Sequence, residues 1–258
     1  MSITMKKIIY LASAALAFCM VTSCHKDQPY KSWHPTYISE HEAADLGLSV
    51  FWAKCNIGAE CETDFGSLFA WGETSEKENY SWGKPGEYKF GVYNDEEEPD
   101  FGLSKYNVTD GLSTLQPEDD AVSAAWGRVW RTPTADEINE LIYNCNWEWI
   151  SMKDSKGNEI FGYVITRKGV TFDPSEEQDY IFLPAAGAIN GTEKLYQNVY
   201  GAYWSSSRAG SVPKFGTFPQ FAKYLDFLSD DWREAIQLMQ VDRNLGFSVR
   251  GVTARIDN

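Results

Sequence analysis

Apolar and polar positions alternate with period two over residues 47–57. Leu48, Val50 and Trp52 fall on one face and Phe51, Ala53 and Cys55 on the other, which predicts a strand. Residues 65–71 form a second apolar segment. Residues 118–126 read as a short helix, and a clearer one follows. Thr134 stands three residues before Glu137, the capping-box spacing, and Pro133 keeps Thr132 out of the helical region. Ile138, Leu141 and Ile142 then make an apolar stripe at helical spacing, so this helix should run to about Asn144. Residues 147–152 and 160–167 flank Asp154-Ser155-Lys156-Gly157-Asn158, a hairpin signal. Further short strands are predicted at 180–183, 201–207, 222–227 and 247–253. Residues 74–118 are polar, Gly-rich and acidic, and read as a long loop. Few helices, many short strands and long connections predict an α+β fold dominated by loops.

The N-terminus has a different pattern. Lys6 and Lys7 precede an apolar stretch from Ile8 to Val21, as in a secretory signal. The stretch ends in Val21-Thr22-Ser23-Cys24, which resembles a bacterial lipobox. By that resemblance Cys24 becomes the new N-terminus and carries the lipid, and more than one acyl chain makes anchoring stable. The other reading is a secreted protein in which Cys24 is incidental. Three parts are therefore expected: a lipoprotein signal peptide at 1–23, a tether at 24–44 and one domain at 45–258. The tether assignment rests on Pro29, Pro35, Ser32 and Ser39, with His25, His34 and His41 read as solvated rather than metal-binding. Charged residues directly after Cys24 resemble a short surface-export signal. An outer-membrane lipoprotein is expected, with display on the cell surface left open.

Composition narrows the chemistry. The formal net charge of −14 disfavours phosphate backbones, so no nucleic-acid partner is expected. Ten Trp, 14 Tyr and 14 Phe argue against disorder. All three histidines precede residue 45, so the predicted domain has no Ser-His-Asp or Cys-His catalytic site and no His-ligated metal. Cys55, Cys61 and Cys145 stay in an oxidising compartment. Either Cys55 and Cys61 bridge a loop, or all three are buried thiols.

Several blocks carry a family resemblance: Asp45-Leu46-Gly47-Leu48-Ser49-Val50-Phe51-Trp52-Ala53, Phe69-Ala70-Trp71-Gly72-Glu73-Thr74, and Trp130-Arg131-Thr132-Pro133-Thr134. Leu183-Pro184-Ala185-Ala186-Gly187, Gly201-Ala202-Tyr203-Trp204-Ser205-Ser206-Ser207 and Gly246-Phe247-Ser248-Val249-Arg250-Gly251-Val252 follow in order. Together they resemble the Fibrobacter succinogenes major paralogous domain family. That family is similar to the C-type lectin-like group that includes the formylglycine-generating enzymes. The resemblance implies two helices, a small twisted antiparallel sheet, long loops and no particular activity. Trp52, Trp71, Trp126, Trp130 and Trp204 fall in or beside these blocks and are expected in the core. Arg131 and Arg250 are expected to tie loops by charge-assisted hydrogen bonds.

The enzymes of that group hold copper with a late cysteine pair, and no cysteine follows Cys145 here. Calcium-dependent sugar binding in the group uses a Glu-Pro-Asn-type loop and a later carboxylate-bearing strand. Glu98-Pro99-Asp100 lies far before Trp204, and Ser205-Ser206 after that tryptophan supply no carboxylate. Neither cofactor nor metal is expected, and the protein reads as a non-enzyme. The remaining candidates for ligand contact are loop aromatics: Tyr80, Trp82, Tyr88, Phe218 and Trp232. Such rings stack on sugar faces, or fold back as satellite cores. The expected function is a lipid-anchored binding module whose ligand is a glycan or a surface protein. A structural component of a surface complex is the alternative, and a carboxylate-dependent glycan-active enzyme comes third.

Overall fold

The structure is a computed structural model that describes residues 35–82, 84, 87–92, 102–212, 216–229 and 236–255. Its strands begin with β1 (Thr36–Ile38), β2 (His41–Ala44), β3 (Val50–Asn56), β4 (Leu68–Phe69), β5 (Gly91–Val92) and β6 (Gly102–Leu103). Next come β7 (Trp130–Arg131), β8 (Cys145–Lys153), β9 (Glu159–Arg167), β10 (Tyr180–Pro184), β11 (Ala188–Asn190) and β12 (Glu193–Leu195). The last are β13 (Tyr200–Arg208), β14 (Ser211–Val212), β15 (Gly216–Thr217), β16 (Phe221–Leu228), β17 (Gln237–Asp242), β18 (Phe247–Ser248) and β19 (Arg250–Ala254). Helix α1 (Ala121–Trp126) precedes β7, and α2 (Ala135–Asn144) follows it. The fold is α+β with small, mostly antiparallel sheets.

The predicted capping box forms. The Thr134 hydroxyl accepts from the Glu137 amide at 3.2 Å, and the Glu137 carboxylate accepts from the Thr134 amide at 2.8 Å. Ala135, Ile138 and Leu141 are the buried residues of α2. The stretch predicted as a helix over 118–126 is split. A 3-10 turn at Pro117–Asp119 comes first, and Asp120 then caps α1 through the Val122 amide at 2.9 Å. An extended capping residue interrupts the helix there.

The first sheet has the order β1-β2-β3-β19-β7, so strands from both ends of the described chain pair side by side. This corrects the expected tether over residues 36–44, while residues 24–34 lie outside the described ones. Residues 36–38 and 41–44 are β1 and β2, with Ala43 opposite Ala53 and Ala44 opposite Trp52. His41 stacks on Trp126 at 4.1 Å, and the Trp130 indole donates to the Ile38 carbonyl at 2.9 Å. His25 and His34 lie outside the described residues. The second sheet, β10-β9-β8, contains the predicted hairpin with Lys153 opposite Glu159. The third has the order β17-β16-β13-β18-β4, in which β13 and β18 run parallel.

Alternation divides the core. Leu48, Val50 and Trp52 enter one cluster with Ile138 and Leu141, whereas Phe51 and Ala53 enter another with Trp71 and Trp130. In β13, Ala202 and Trp204 join the second group and Tyr203 the first. Successive strand residues point to opposite faces, so these strands are walls shared by both clusters. Gly201 is dictated by one such contact, since a Cβ there would meet the Phe227 ring at 2.0 Å. Trp52, Trp71, Trp130 and Trp204 are buried as expected, and Trp126 is half-buried.

The region read as one long loop is partly packed. Tyr80, Tyr88, Phe90, Leu103 and Tyr106 are buried in the larger cluster. The acidic run 95–100 lies outside the described residues.

Candidate functional site

The aromatic residues chosen from sequence do not form one exposed surface. Tyr80 and Tyr88 are each about 1% exposed. The Tyr80 hydroxyl donates to the Leu68 carbonyl, and the Tyr88 hydroxyl donates to the Trp71 carbonyl at 2.8 Å. Burial holds the Tyr88 phenol far above its ordinary range. Both are therefore corrected from ligand contacts to core residues. Their rings fill space under the loop while the hydroxyls find backbone acceptors. Trp82 is half-buried and stacks on Tyr88 at 4.8 Å. Phe218 is half-buried and stacks on Phe221 at 5.3 Å, in a separate segment. Trp232 and Cys24 lie outside the described residues.

A different aromatic surface is present. An open cleft of about 420 Å³ is walled by residues including Ile189, Leu195, Tyr196, Tyr200, Tyr224 and Val241. Its size falls within the range of small-ligand sites, and its lining is overwhelmingly apolar. Five stretches build it, the last being Leu245 and Phe247. The β11–β12 hairpin supplies Ile189 and Leu195, and β13 begins with Tyr200. Strand β16 supplies Tyr224 and Leu228, and β17 supplies Val241. The turn at Gly187 draws the hairpin tight. Its φ is +75°, and a Cβ would lie 2.1 Å from the Leu195 carbonyl oxygen.

The rim is strained. Tyr196 and Asn198 have φ of 60° and 64°, a left-handed conformation that is uncommon for residues other than glycine. The backbone stays there because the Tyr196 carbonyl accepts from both the Val199 amide and the Tyr200 amide, at 3.1 and 3.0 Å. The Asn198 side-chain oxygen also accepts from the Phe161 amide at 3.0 Å. Nevertheless Tyr196 is 67% exposed, so packing does not account for an aromatic residue at this position.

Polar groups gather at one side of the cleft. The Tyr200 hydroxyl donates to the Tyr224 hydroxyl at 3.5 Å, a long contact. Burial pushes the Tyr224 phenol up to about 12, and Asp226 adds to the rise. The Tyr200 phenol is raised further, by burial first and then by Tyr224 and Asp226. Both hydroxyls therefore keep their protons at neutral pH.

A second cavity, of about 470 Å³, is polar and lined by residues including Glu42, Lys54, Cys55, Cys61, Glu62 and Tyr180. Lys54 is already engaged. Its ammonium donates to the Tyr180 carbonyl at 2.9 Å, lies 3.2 Å from the centre of that ring and pairs with Glu62 at 3.4 Å. Burial pushes Lys54 below its ordinary value and the Cys55 thiol above its own. Cys55, Cys61 and Cys145 are free thiols, so the alternative of a Cys55–Cys61 bridge is not what the structure holds. Burial raises the Cys145 thiol to about 12. Among the described residues, no three His, Cys, Asp or Glu side chains converge as a metal site.

The two landmark arginines have structural partners. Arg250 is 1% exposed and donates to the Asn56 side chain at 2.8 Å and to the carbonyls of Ala53, Lys54 and Phe182. Arg131 forks onto both oxygens of Glu137, the carboxylate of the capping box.

Sequence reasoning missed the cleft because its lining comes from five stretches between residues 188 and 247. The available local signal was Leu195-Tyr196-Gln197-Asn198-Val199-Tyr200, an apolar and aromatic run without strand alternation. No family model, curated protein or solved structure matches the chain.

Proposed function

We propose that this chain is a lipid-anchored, non-enzymatic binding module of the bacterial outer membrane, and that the Tyr196 cleft is its ligand site. Its arrangement is of the C-type lectin-like kind. The two helices, the pairing of β3 with β19 and the short antiparallel sheets support that assignment. The sequence Val21-Thr22-Ser23-Cys24 supports lipid attachment at Cys24. The family resemblance supports a display role more than a catalytic one.

One observation carries the reading. A concave apolar surface is rimmed by an exposed tyrosine held in a disfavoured backbone conformation. Sugar recognition needs many hydroxyl partners beside the rings, and this lining supplies few. An apolar ligand group, free or belonging to a protein partner, fits it better than a glycan.

The test is a thermal-shift screen of the full chain against glycans, peptides and apolar small molecules. It runs in parallel on Val199→Trp, which fills the cleft from an exposed position. A compound that raises the Tm of the parent protein but not of the variant supports the cleft as the site. Stabilisation by a glycan that is undiminished in Val199→Trp would place the ligand elsewhere. Incorporation of a clickable fatty acid that disappears in Cys24→Ala checks the anchor.

A further inference from the structure

Strand β17 is the outer strand of the third sheet, and its Val241 belongs to the cleft wall. Three hydrogen bonds fix which of its backbone groups are already used. The Ala209 amide donates to the Phe221 carbonyl at 3.0 Å and the Ser229 amide to the Val199 carbonyl at 2.9 Å, so the odd-numbered residues of β16 bond to β13. The Arg243 amide donates to the Gln220 carbonyl at 3.0 Å, so the even-numbered ones bond to β17. Gln237, Met239 and Val241 are therefore the bonded partners of β16. The amides and carbonyls of Leu238 and Gln240 point out of the sheet, and no other described strand or side chain meets them.

The other edges of the three larger sheets are guarded. Strands β1, β4 and β7 have 3, 2 and 2 residues. Strand β8 carries exposed Glu148 and Lys153. The outward carbonyls of Tyr180 and Phe182 on β10 accept from Lys54 and Arg250. Strand β17 has none of these devices. Its register is unbroken from Gln237 to Asp242, with no proline and no charge before Asp242. An edge left open in this way is a template for another strand. Its outer face suits an apolar visitor. Met239 is 42% exposed and shares a face with Val241 and with the Tyr224 that it opposes. An antiparallel strand added here would place its residues opposite Met239 and Val241 on that face, beside the cleft, in the close contact of non-bonded pairs.

We propose that the partner of the cleft is an extended protein segment that adds to β17 as an antiparallel strand, with apolar side chains at i and i+2 facing the cleft and no acidic residue. This rests on the cleft being the ligand site and adds the class of its partner. Main-chain pairing holds the segment, and the apolar wall selects its side chains. The net charge of −14 repels an acidic one.

The experiment titrates a fluorescent peptide, Lys-Thr-Ile-Thr-Ile-Thr-Lys, into the full chain in lipid nanodiscs and follows anisotropy. In the expected register its isoleucines oppose Met239 and Val241, and its threonine amides meet the Leu238 and Gln240 carbonyls. N-methylation of the threonines should weaken binding about tenfold or more. N-methylation of the isoleucines, whose amides point away from β17, should leave it unchanged. Gln240→Pro removes one outward donor and no bond to β16, so it should keep the parental near-ultraviolet dichroism and bind the peptide about tenfold more weakly. Val199→Trp should also weaken binding. The same response to both methylation patterns would overturn strand addition, and the cleft would stand if Val199→Trp still weakened binding. Binding lost on threonine methylation but untouched by Val199→Trp would keep the added strand and overturn the cleft. The absence of saturable peptide binding would overturn the proposal, as would self-association of the parent chain that Gln240→Pro abolishes, since a second copy would then be the occupant of the edge.

Discussion

Arg250 is a buried cation without a carboxylate beside it among its hydrogen-bond partners, which are three backbone carbonyls and the Asn56 amide oxygen. Burial pushes its guanidinium below the ordinary value, and the hydrogen bonds offset that cost. They join β3, β10 and β19, strands of two different sheets. A lysine cannot replace it. One ammonium at the end of a flexible stem does not reproduce a planar fork that reaches four acceptors. Arg250→Lys should therefore destabilise the fold by about 3 kcal/mol or more, because buried acceptors are left unpaired. Urea unfolding followed by tryptophan fluorescence measures this, and a loss below about 1 kcal/mol would mean that water replaces the fork. Sequence alone placed Arg250 as a tie between loops. Its partners were not legible, because Phe182 and Asn56 are remote along the chain and the site exists only once the strands pair.

At the scale of elements, the capping box of α2 is joined to its neighbour by charge. Burial acts to raise the Glu137 pKa, but the Arg131 fork and the Thr134 amide outweigh it and hold the carboxyl below its ordinary value. Asp119 behaves alike: burial is outweighed by Lys105, Lys89 and Tyr106, each bonded at 2.6 Å. A carboxyl with a depressed folded pKa stabilises fully above its unfolded value, about 3.9–4.3, and loses that contribution as pH falls through the folded value. Stability from these two groups should hold from neutral pH to about pH 5 and fall below about pH 4. Glu137→Gln should flatten part of that fall, measured as urea midpoints across pH, and an unchanged profile would remove Glu137 from the account. Elements with such local grammar were the legible ones: the capping box, the 147–167 hairpin and the alternating strand at residue 50. The strands at 36–44 were not legible. Thr36–Ile38 and His41–Ala44 are short, mostly polar outside and interrupted by Ser39 and Glu40, both at positive φ. Deleting residues 35–44 tests the correction directly. It removes Ile38, Ala43 and Ala44 from the core and orphans the Trp130 indole. The loss should be about 3 kcal/mol or more, whereas a true tether would cost nothing measurable.

For the whole molecule, the division of the core by shared strands decides how it unfolds. Strands β3, β13 and β16 each contribute alternate residues to two hydrophobic clusters. Neither cluster can open without stripping one face from a strand that the other still needs. The pairing of β3 with β19 adds closure, because strands far apart in sequence must separate together. Such an arrangement unfolds as one unit although the sheets are small and the loops long. Leu141 tests this from one side. It is fully buried on α2 and belongs to the cluster with Trp52, Tyr203 and Phe227, while Trp71, Trp130 and Trp204 report from the other cluster. Leu141→Ala should cost about 2–5 kcal/mol by lost transfer and cavity terms. The transition followed by near-ultraviolet signals, which carry tryptophans of both clusters, should remain a single step and shift by as much as the transition followed by far-ultraviolet dichroism. If part of the tryptophan signal kept its parental midpoint while the rest dropped, the clusters would be independent units, and the shared strands would not couple them. The same coupling reaches the cleft, because Tyr200 on β13 and Tyr224 on β16 stand on two of the shared strands. A ligand held there should therefore raise the single transition of the whole domain rather than a local one, by an amount set by its concentration relative to its Kd.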